Sequence, residues 1–165
     1  EGKDILAPAP DTELAMGDKL LIVSKAGQIL DEFHQEQPKK IVLVDDNPVI
    51  RRLYTRLFQK AGFNIITSST GREGCEMILR EQPDGAVVDY LLSDISGLEV
   101  CEAVRESENG QNVKLFLFTA DEAPELRKNA EKVGVDMVVL KSPDAAEIVN
   151  LVRDVVESGK ENKRN

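Results

Sequence analysis

An α/β fold, built on a five-stranded parallel sheet with helices on both faces, is the class this chain predicts. Two observations carry it. From residue 40 onward, short apolar runs rich in β-branched residues alternate five times with longer segments of helical period, the pattern of strands buried on both sides and joined by helical crossovers. The residues that end those runs are polar and chemically capable, namely Asp45 and Asp46, then Asp89, Thr119 and Lys141.

Residues 1 to 38 stand outside this repeat and carry eight acidic and three basic residues. Pro8 and Pro10 mark a flexible lead-in, while Leu20 to Val23, a turn near Ala26-Gly27 and Ile29-Leu30 predict a β-hairpin. An isolated hairpin is marginal in water. Three fates are therefore open to this N-terminal extension: packing on the main domain, pairing with a second copy as a homodimer, or forming the last piece of a larger upstream domain.

The main domain spans residues 39 to 158. Its expected strands are Ile41 to Val44, Phe63 to Thr67, Gly85 to Val88, Val113 to Phe118 and Asp136 to Leu140, all of strand length. The first helix is signalled by Ile50, Leu53, Tyr54, Leu57, Phe58 and Ala61 at helical spacing, with Asn47 as cap, Pro48 in the first turn and Gly62 just beyond. Further helices are expected over Gly71 to Glu81, Leu98 to Glu106, Ala123 to Val133 and Asp144 to Glu157. The last carries Ile148, Val149, Val152, Val155 and Val156 on one face. Residues 159 to 165 are polar and read as a frayed tail.

Right-handed crossovers leave few topologies for such a (βα)5 chain, and the flavodoxin-like, doubly wound order 2-1-3-4-5 leads. In that fold, ligands bind at the carboxyl ends of the strands. The polar residues ending the runs are thus the ones to read for chemistry.

Bulk properties exclude several function classes. The 21 basic against 30 acidic residues give a net charge of -9, which repels a phosphate backbone and disfavours direct nucleic-acid binding. No apolar run approaches the length of a membrane span, and no signal-peptide plan opens the chain. Cys75 and Cys101 fit no zinc spacing and, with Met77, read as packing residues; a reducing, cytoplasmic setting fits them. His34 is the only histidine, which removes most triad chemistry. Gly71-Arg72-Glu73-Gly74 lacks the lysine of a phosphate loop.

Adjacent carboxylates repel by about 1 kcal/mol at 4 Å in water and by roughly 4 kcal/mol at a surface-like dielectric, so the Asp45-Asp46 pair calls for a cation. The plain alternative is one helix cap beside one solvated acid. Asp89, at the end of the third strand, adds a third carboxylate to the same crevice. Three such groups form a hard oxygen site suited to octahedral Mg²⁺.

Four segments, Val44-Asp45-Asp46-Asn47, Val87-Val88-Asp89-Tyr90, Leu117-Phe118-Thr119-Ala120 and Val139-Leu140-Lys141, resemble the four signature sites of the response-regulator receiver family. The likeness covers residues 39 to 158. It implies that Asp46 and Asp89 bind Mg²⁺ directly, that Asp45 acts largely through water, and that the main-chain carbonyl of Leu91 completes the protein ligands. Asp89 is then the phosphoacceptor, Lys141 supplies a further cation, and the Thr119 hydroxyl binds a phosphoryl oxygen and draws the following loop inward. The implied partners are a histidine kinase or histidine phosphotransfer protein as donor and an output protein on the face of the fourth helix, fifth strand and fifth helix. The implied activity is autocatalytic phosphotransfer and dephosphorylation, not metabolic catalysis.

Three positions depart from the family pattern. Ser93 stands where many relatives have proline four residues after the acceptor, which leaves the loop more backbone freedom. Val138 replaces the Tyr or Phe that rotates inward with the threonine. Ser142 follows the lysine where a cis-proline is common, and a cis bond there costs about 2.5 to 4 kcal/mol, so Lys141-Ser142 is either trans or held strained. Ser93 and Val138 motivate an alternative, a receiver-like interaction module that ignores phosphorylation. A flavin- or nucleotide-binding fold is a third reading, opposed by the acidic loop after the first strand where a phosphate cradle needs donors.

Overall fold

The computed structural model describes residues 22–23, 29–30 and 37–159. The chain divides into two units, Glu1–Gln37 and Pro38–Asn165. In the first, Ile22–Val23 pairs antiparallel with Ile29–Leu30, with Ile22 opposite Leu30 and Val23 opposite Ile29. This is the core of the expected hairpin. Pro8, Pro10, Leu20, the Ala26-Gly27 turn, His34 and the tail from residue 160 lie outside the described residues.

The second unit alternates strand and helix five times. Its strands are β1 (Lys40–Val44), β2 (Asn64–Ser68), β3 (Gly85–Asp89), β4 (Lys114–Thr119) and β5 (Met137–Leu140). Its helices are α1 (Pro48–Lys60), α2 (Gly71–Glu81), α3 (Gly97–Glu106), α4 (Pro124–Val133) and α5 (Ala145–Ser158). The strands form one parallel sheet in the order β2-β1-β3-β4-β5, as the pattern predicts.

Alternation along the strands sends side chains to two separate cores. Ile41 and Leu43 of β1 join Val87, Phe116, Phe118 and Val139 against Tyr54 and Phe58 of α1 and Ile148, Val149, Val152 and Val156 of α5. Val42 and Val44 join Ala86, Val88, Leu115 and Leu117 against Ile78 of α2, Val100, Cys101 and Val104 of α3, and Leu126 and Ala130 of α4. A sheet covered on both faces explains why its strands read as continuous apolar runs.

Capping sets the helix starts. The Asn47 side chain accepts from the amides of Val49 at 2.9 Å and Ile50 at 3.4 Å, with Pro48 in the first turn. Ser96 and Glu99 form a reciprocal capping box on α3, with Ser96 N donating to Glu99 Oε2 at 2.8 Å and Glu99 N donating to Ser96 Oγ at 3.2 Å. Asp144 caps α5 through Ala146 N and Glu147 N, so that helix begins one residue later than expected.

Several strand boundaries also move by one residue, for physical reasons. Phe63 is buried but belongs to the turn after α1, its amide donating to Phe58 O at 3.0 Å, and β2 starts at Asn64 and runs on to Ser68. Val113 is likewise buried ahead of β4. Asp136 does not open β5; its carboxylate turns back to accept from Leu115 N at 2.8 Å and from Arg105. The Lys141-Ser142 bond is trans, since no cis peptide occurs among the described residues.

Candidate functional site

Parallel register brings the ends of four neighbouring strands level. Val44 pairs with Val88 across β1 and β3, Asp89 with Phe118 across β3 and β4, and Thr119 with Leu140 across β4 and β5. The next residue of β1 and of β5 is therefore Asp45 or Lys141, and the five residues singled out from sequence converge on one edge. Carboxylate oxygens of Asp45, Asp46 and Asp89 all lie within 4.8 Å of one another. Lys141 Nζ lies 3.0 Å from Asp89 Oδ1 and 3.7 Å from Asp45 Oδ2.

The members differ in burial. Asp45, Asp89 and Thr119 are buried, whereas Asp46 is exposed and Lys141 is partly exposed. Asp45 Oδ1 accepts from Asn47 N at 2.8 Å, but its Oδ2 is buried and accepts no hydrogen bond among the described residues. Burial holds the Asp45 carboxyl above the usual range; the amide of Asn47 opposes this, Asp89 adds to it, Lys141 opposes it and Asp46 adds a little more. An unsatisfied buried carboxylate oxygen costs free energy. It is also the kind of donor a hard divalent cation takes, and the all-oxygen, all-carboxylate set fits Mg²⁺.

The remaining expected residues sit close by. Leu91 lies in the loop after β3 with its side chain 72% exposed, and its amide donates to Asp89 Oδ1 at 3.3 Å. The Thr119 hydroxyl accepts from Asp121 N at 3.0 Å, which ties the β4–α4 loop to the strand end and leaves the hydroxyl proton free to donate. Beneath the site, Lys141 Nζ stands 5.1 Å from the Phe118 ring, which meets Tyr54 edge-on at 5.3 Å between centroids.

Sequence reading missed three neighbours. Arg51 donates to Asp45 O at 2.6 Å, a link that its four-residue spacing from the Asn47 cap could have suggested. Ser68 accepts the Asp45 amide on its carbonyl at 3.2 Å, and it was hidden because the second strand was expected to stop at Thr67. Asp94 accepts from Gly71 N at 2.8 Å and Arg72 N at 2.9 Å, partners too distant in sequence for any local signal. Cys101 is buried, and burial pushes its thiol up to about 12; burial raises Cys75 too. Neither is an activated thiolate.

A doubly wound sheet gathering three aspartates, a threonine and a lysine at its carboxyl edge defines a receiver-type module on a flavodoxin-like fold. The chain belongs to the response regulator receiver domain family of two-component signalling, whose family model matches residues 41–153. It is similar to the "Probable transcriptional regulatory protein TcrX" of Mycobacterium tuberculosis, 32% identical over 117 residues that cover 71% of this chain and 49% of that protein. Hybrid signal transduction histidine kinase D of Dictyostelium discoideum is 33% identical over 144 residues, 81% of this chain and 9% of that protein. The chain spans about half the length of several curated relatives it matches. In fold it is similar to a CheY-like receiver domain protein from Methanospirillum hungatei, with a TM-score of 0.70 at 21% identity over 76% of this chain and 98% of that one. Chemotaxis response regulator CheY4 of Vibrio cholerae gives 0.67 at 24% identity over 72% and 98%. No helix among the described residues is long and apolar enough to cross a membrane.

Proposed function

We propose that this receiver accepts a phosphoryl group on Asp89 from a phosphohistidine donor in a Mg²⁺-dependent reaction and thereby changes its partner-binding surface. The observation that carries the reading is the meeting of Lys141 Nζ and Asp89 Oδ1 at 3.0 Å inside a cluster of three carboxylates. In the transfer, an Asp89 oxygen forms the new bond to phosphorus as the bond to the donor's imidazole nitrogen breaks, and the imidazole leaves neutral after taking a proton. Asp45, Asp46, Asp89 and the Leu91 carbonyl would hold Mg²⁺, which when bound offsets negative charge on the transferring oxygens. Lys141 supplies a fixed cation to the same oxygens and returns to Asp89 when the group is lost. Thr119 donates its free hydroxyl proton to a phosphoryl oxygen, and the Asp121 amide on the same hydroxyl carries that movement into the β4–α4 loop, shifting its population of conformations.

Two surfaces suit the partners. A histidine kinase or phosphotransfer protein would approach over α1, where Val49 and Leu53 are 62% and 43% exposed beside Arg52 and Arg56. The output protein would read the α4, β5 and α5 face, where Ala130, Val135, Met137 and Val138 line a groove of about 210 Å³. A cytoplasmic location follows from such partners. The test is amide chemical shifts on adding beryllofluoride, a phosphoryl mimic, with Mg²⁺. The reading expects shifts at Asp89, Thr119 and the α4–β5 face; a response absent at the Asp89 strand end contradicts it.

A further inference from the structure

We infer that Asp94 is a positioning residue for the metal site, the clamp that holds the loop bearing Leu91 against the start of α2 beyond the ends of the paired strands β1 and β3; this rests on the Mg²⁺ reading above. One half of the site is the end of β1, which delivers Asp45 and Asp46. The other is the end of β3 and its loop, which delivers Asp89 and the Leu91 backbone. Between them runs a chain of bonds. Asp45 N donates to Ser68 O at 3.2 Å, and Ser68 Oγ accepts from Thr70 N at 3.3 Å while its one proton is shared between Glu73 Oε2 at 2.9 Å and Thr70 O at 3.0 Å. The next two amides, Gly71 N and Arg72 N, donate to the two oxygens of Asp94 at 2.8 and 2.9 Å. The loop of Asp94 closes the circuit back to Asp89, through Gly97 N donating to Tyr90 O at 2.9 Å and Leu91 N donating to Asp89 Oδ1 at 3.3 Å.

Two features make Asp94 more than a helix cap. The α2 helix already has its own cap, Thr70, whose Oγ1 accepts from Glu73 N at 3.3 Å. And the contact is backed by packing: a Cβ at Gly71 would come within 2.6 Å of Ile95 Cγ1, so loop and helix end touch without space for a side chain, while a Cβ at Gly97 would collide with Asp89 O. The loop lacks proline at Ser93, and an external clamp replaces the stiffness that a ring would supply. Without Asp94, the loop bearing Leu91 gains freedom relative to the β1 end, and a site demanding near-ideal octahedral geometry loses affinity.

The test is Mg²⁺ titration calorimetry on wild type, Asp94→Ala, Asp94→Asn and Thr70→Ala, each first shown folded by circular dichroism. Thr70→Ala removes the helix's own cap and serves as the purely structural control. The expected result is a Mg²⁺ Kd weakened about tenfold in Asp94→Ala, the low end of what losing a group that orients a metal ligand costs. Thr70→Ala should bind as wild type, and Asp94→Asn, which keeps one acceptor, should fall between. If Asp94→Ala does not fold, Asp94→Asn decides. Equal Kd values for wild type and the Asp94 variants, or an equal loss in Thr70→Ala, overturn the inference. Wild type that binds no Mg²⁺ overturns the metal reading itself.

Discussion

Lys141 Nζ lies 3.0 Å from Asp89 Oδ1, so the end of β5 supplies the cation for the acid at the end of β3. The same ammonium is 3.7 Å from Asp45 Oδ2, the buried oxygen that accepts no hydrogen bond among the described residues. Lys141→Met leaves both carboxylates facing each other. The Lys141 side chain is 30% exposed, so solvent discounts the cost of breaking the pair to about 1 to 2 kcal/mol. Thermal melts without metal should show the loss, and added Mg²⁺ should restore part of it.

Asp45→Asn should act in the opposite direction. Burial, with the charges of Asp89 and Asp46, holds this carboxyl above its usual range, so the folded state keeps the proton more tightly than the unfolded one. Its contribution is full below the ordinary value near 3.8 and is lost as pH rises through the raised one. Asparagine keeps an acceptor for Asn47 N and carries no charge. At pH 7 the metal-free variant should unfold at higher urea than wild type. Mg²⁺ at a hundred times its Kd should stabilise wild type by about 2.7 kcal/mol and the variant by much less.

Tyr54 gives an alkaline signature. Burial, with the nearby charge of Asp45, pushes its phenol up to about 12. Because the folded value lies above the unfolded one, Tyr54 costs no stability below pH 10 and costs progressively more as pH rises towards 12. Tyr54→Phe removes that loss. Urea midpoints at pH 8 and 11 should fall less for the variant than for wild type.

Arg105 clamps the opposite end of the sheet. Its guanidinium donates to the carbonyls of Gly110 at 2.7 Å, Val113 at 2.8 Å and Gly134 at 2.8 Å, and to Asp136 Oδ2 at 2.6 Å. Arg105→Ala takes a charged donor from three carbonyls and leaves Asp136 with only Leu115 N and Lys114 among the described residues, for about 2 to 4 kcal/mol of lost stability in urea denaturation. Mg²⁺ affinity at folding-permissive temperature should not change, since the clamp joins the amino ends of β4 and β5.

The features legible in the sequence were those with a local cause. Burial on both faces made five apolar runs visible, and the rule that ligands gather at strand ends made Asp45, Asp46, Asp89, Thr119 and Lys141 legible as one site from sequence. Boundaries slipped where burial and strand pairing part company, as at Phe63 and Val113, which are apolar and buried but precede the ladder. Asp136 looked like the opening of a strand because nothing local reveals that its carboxylate serves Leu115 and Arg105. Asp94 was invisible for the same reason, its partners lying 22 and 23 residues away. The left-handed turn after α2 falls on Gln82, with φ 44°, where no glycine marks it.

Intact-mass measurement after incubation with acetyl phosphate tests the central claim most directly. The account predicts one added phosphoryl group on wild type in Mg²⁺, a much smaller fraction when the metal is chelated, and none on Asp89→Asn. A wild type that gains no mass with Mg²⁺ present, or an Asp89→Asn variant modified to the same extent, would contradict it.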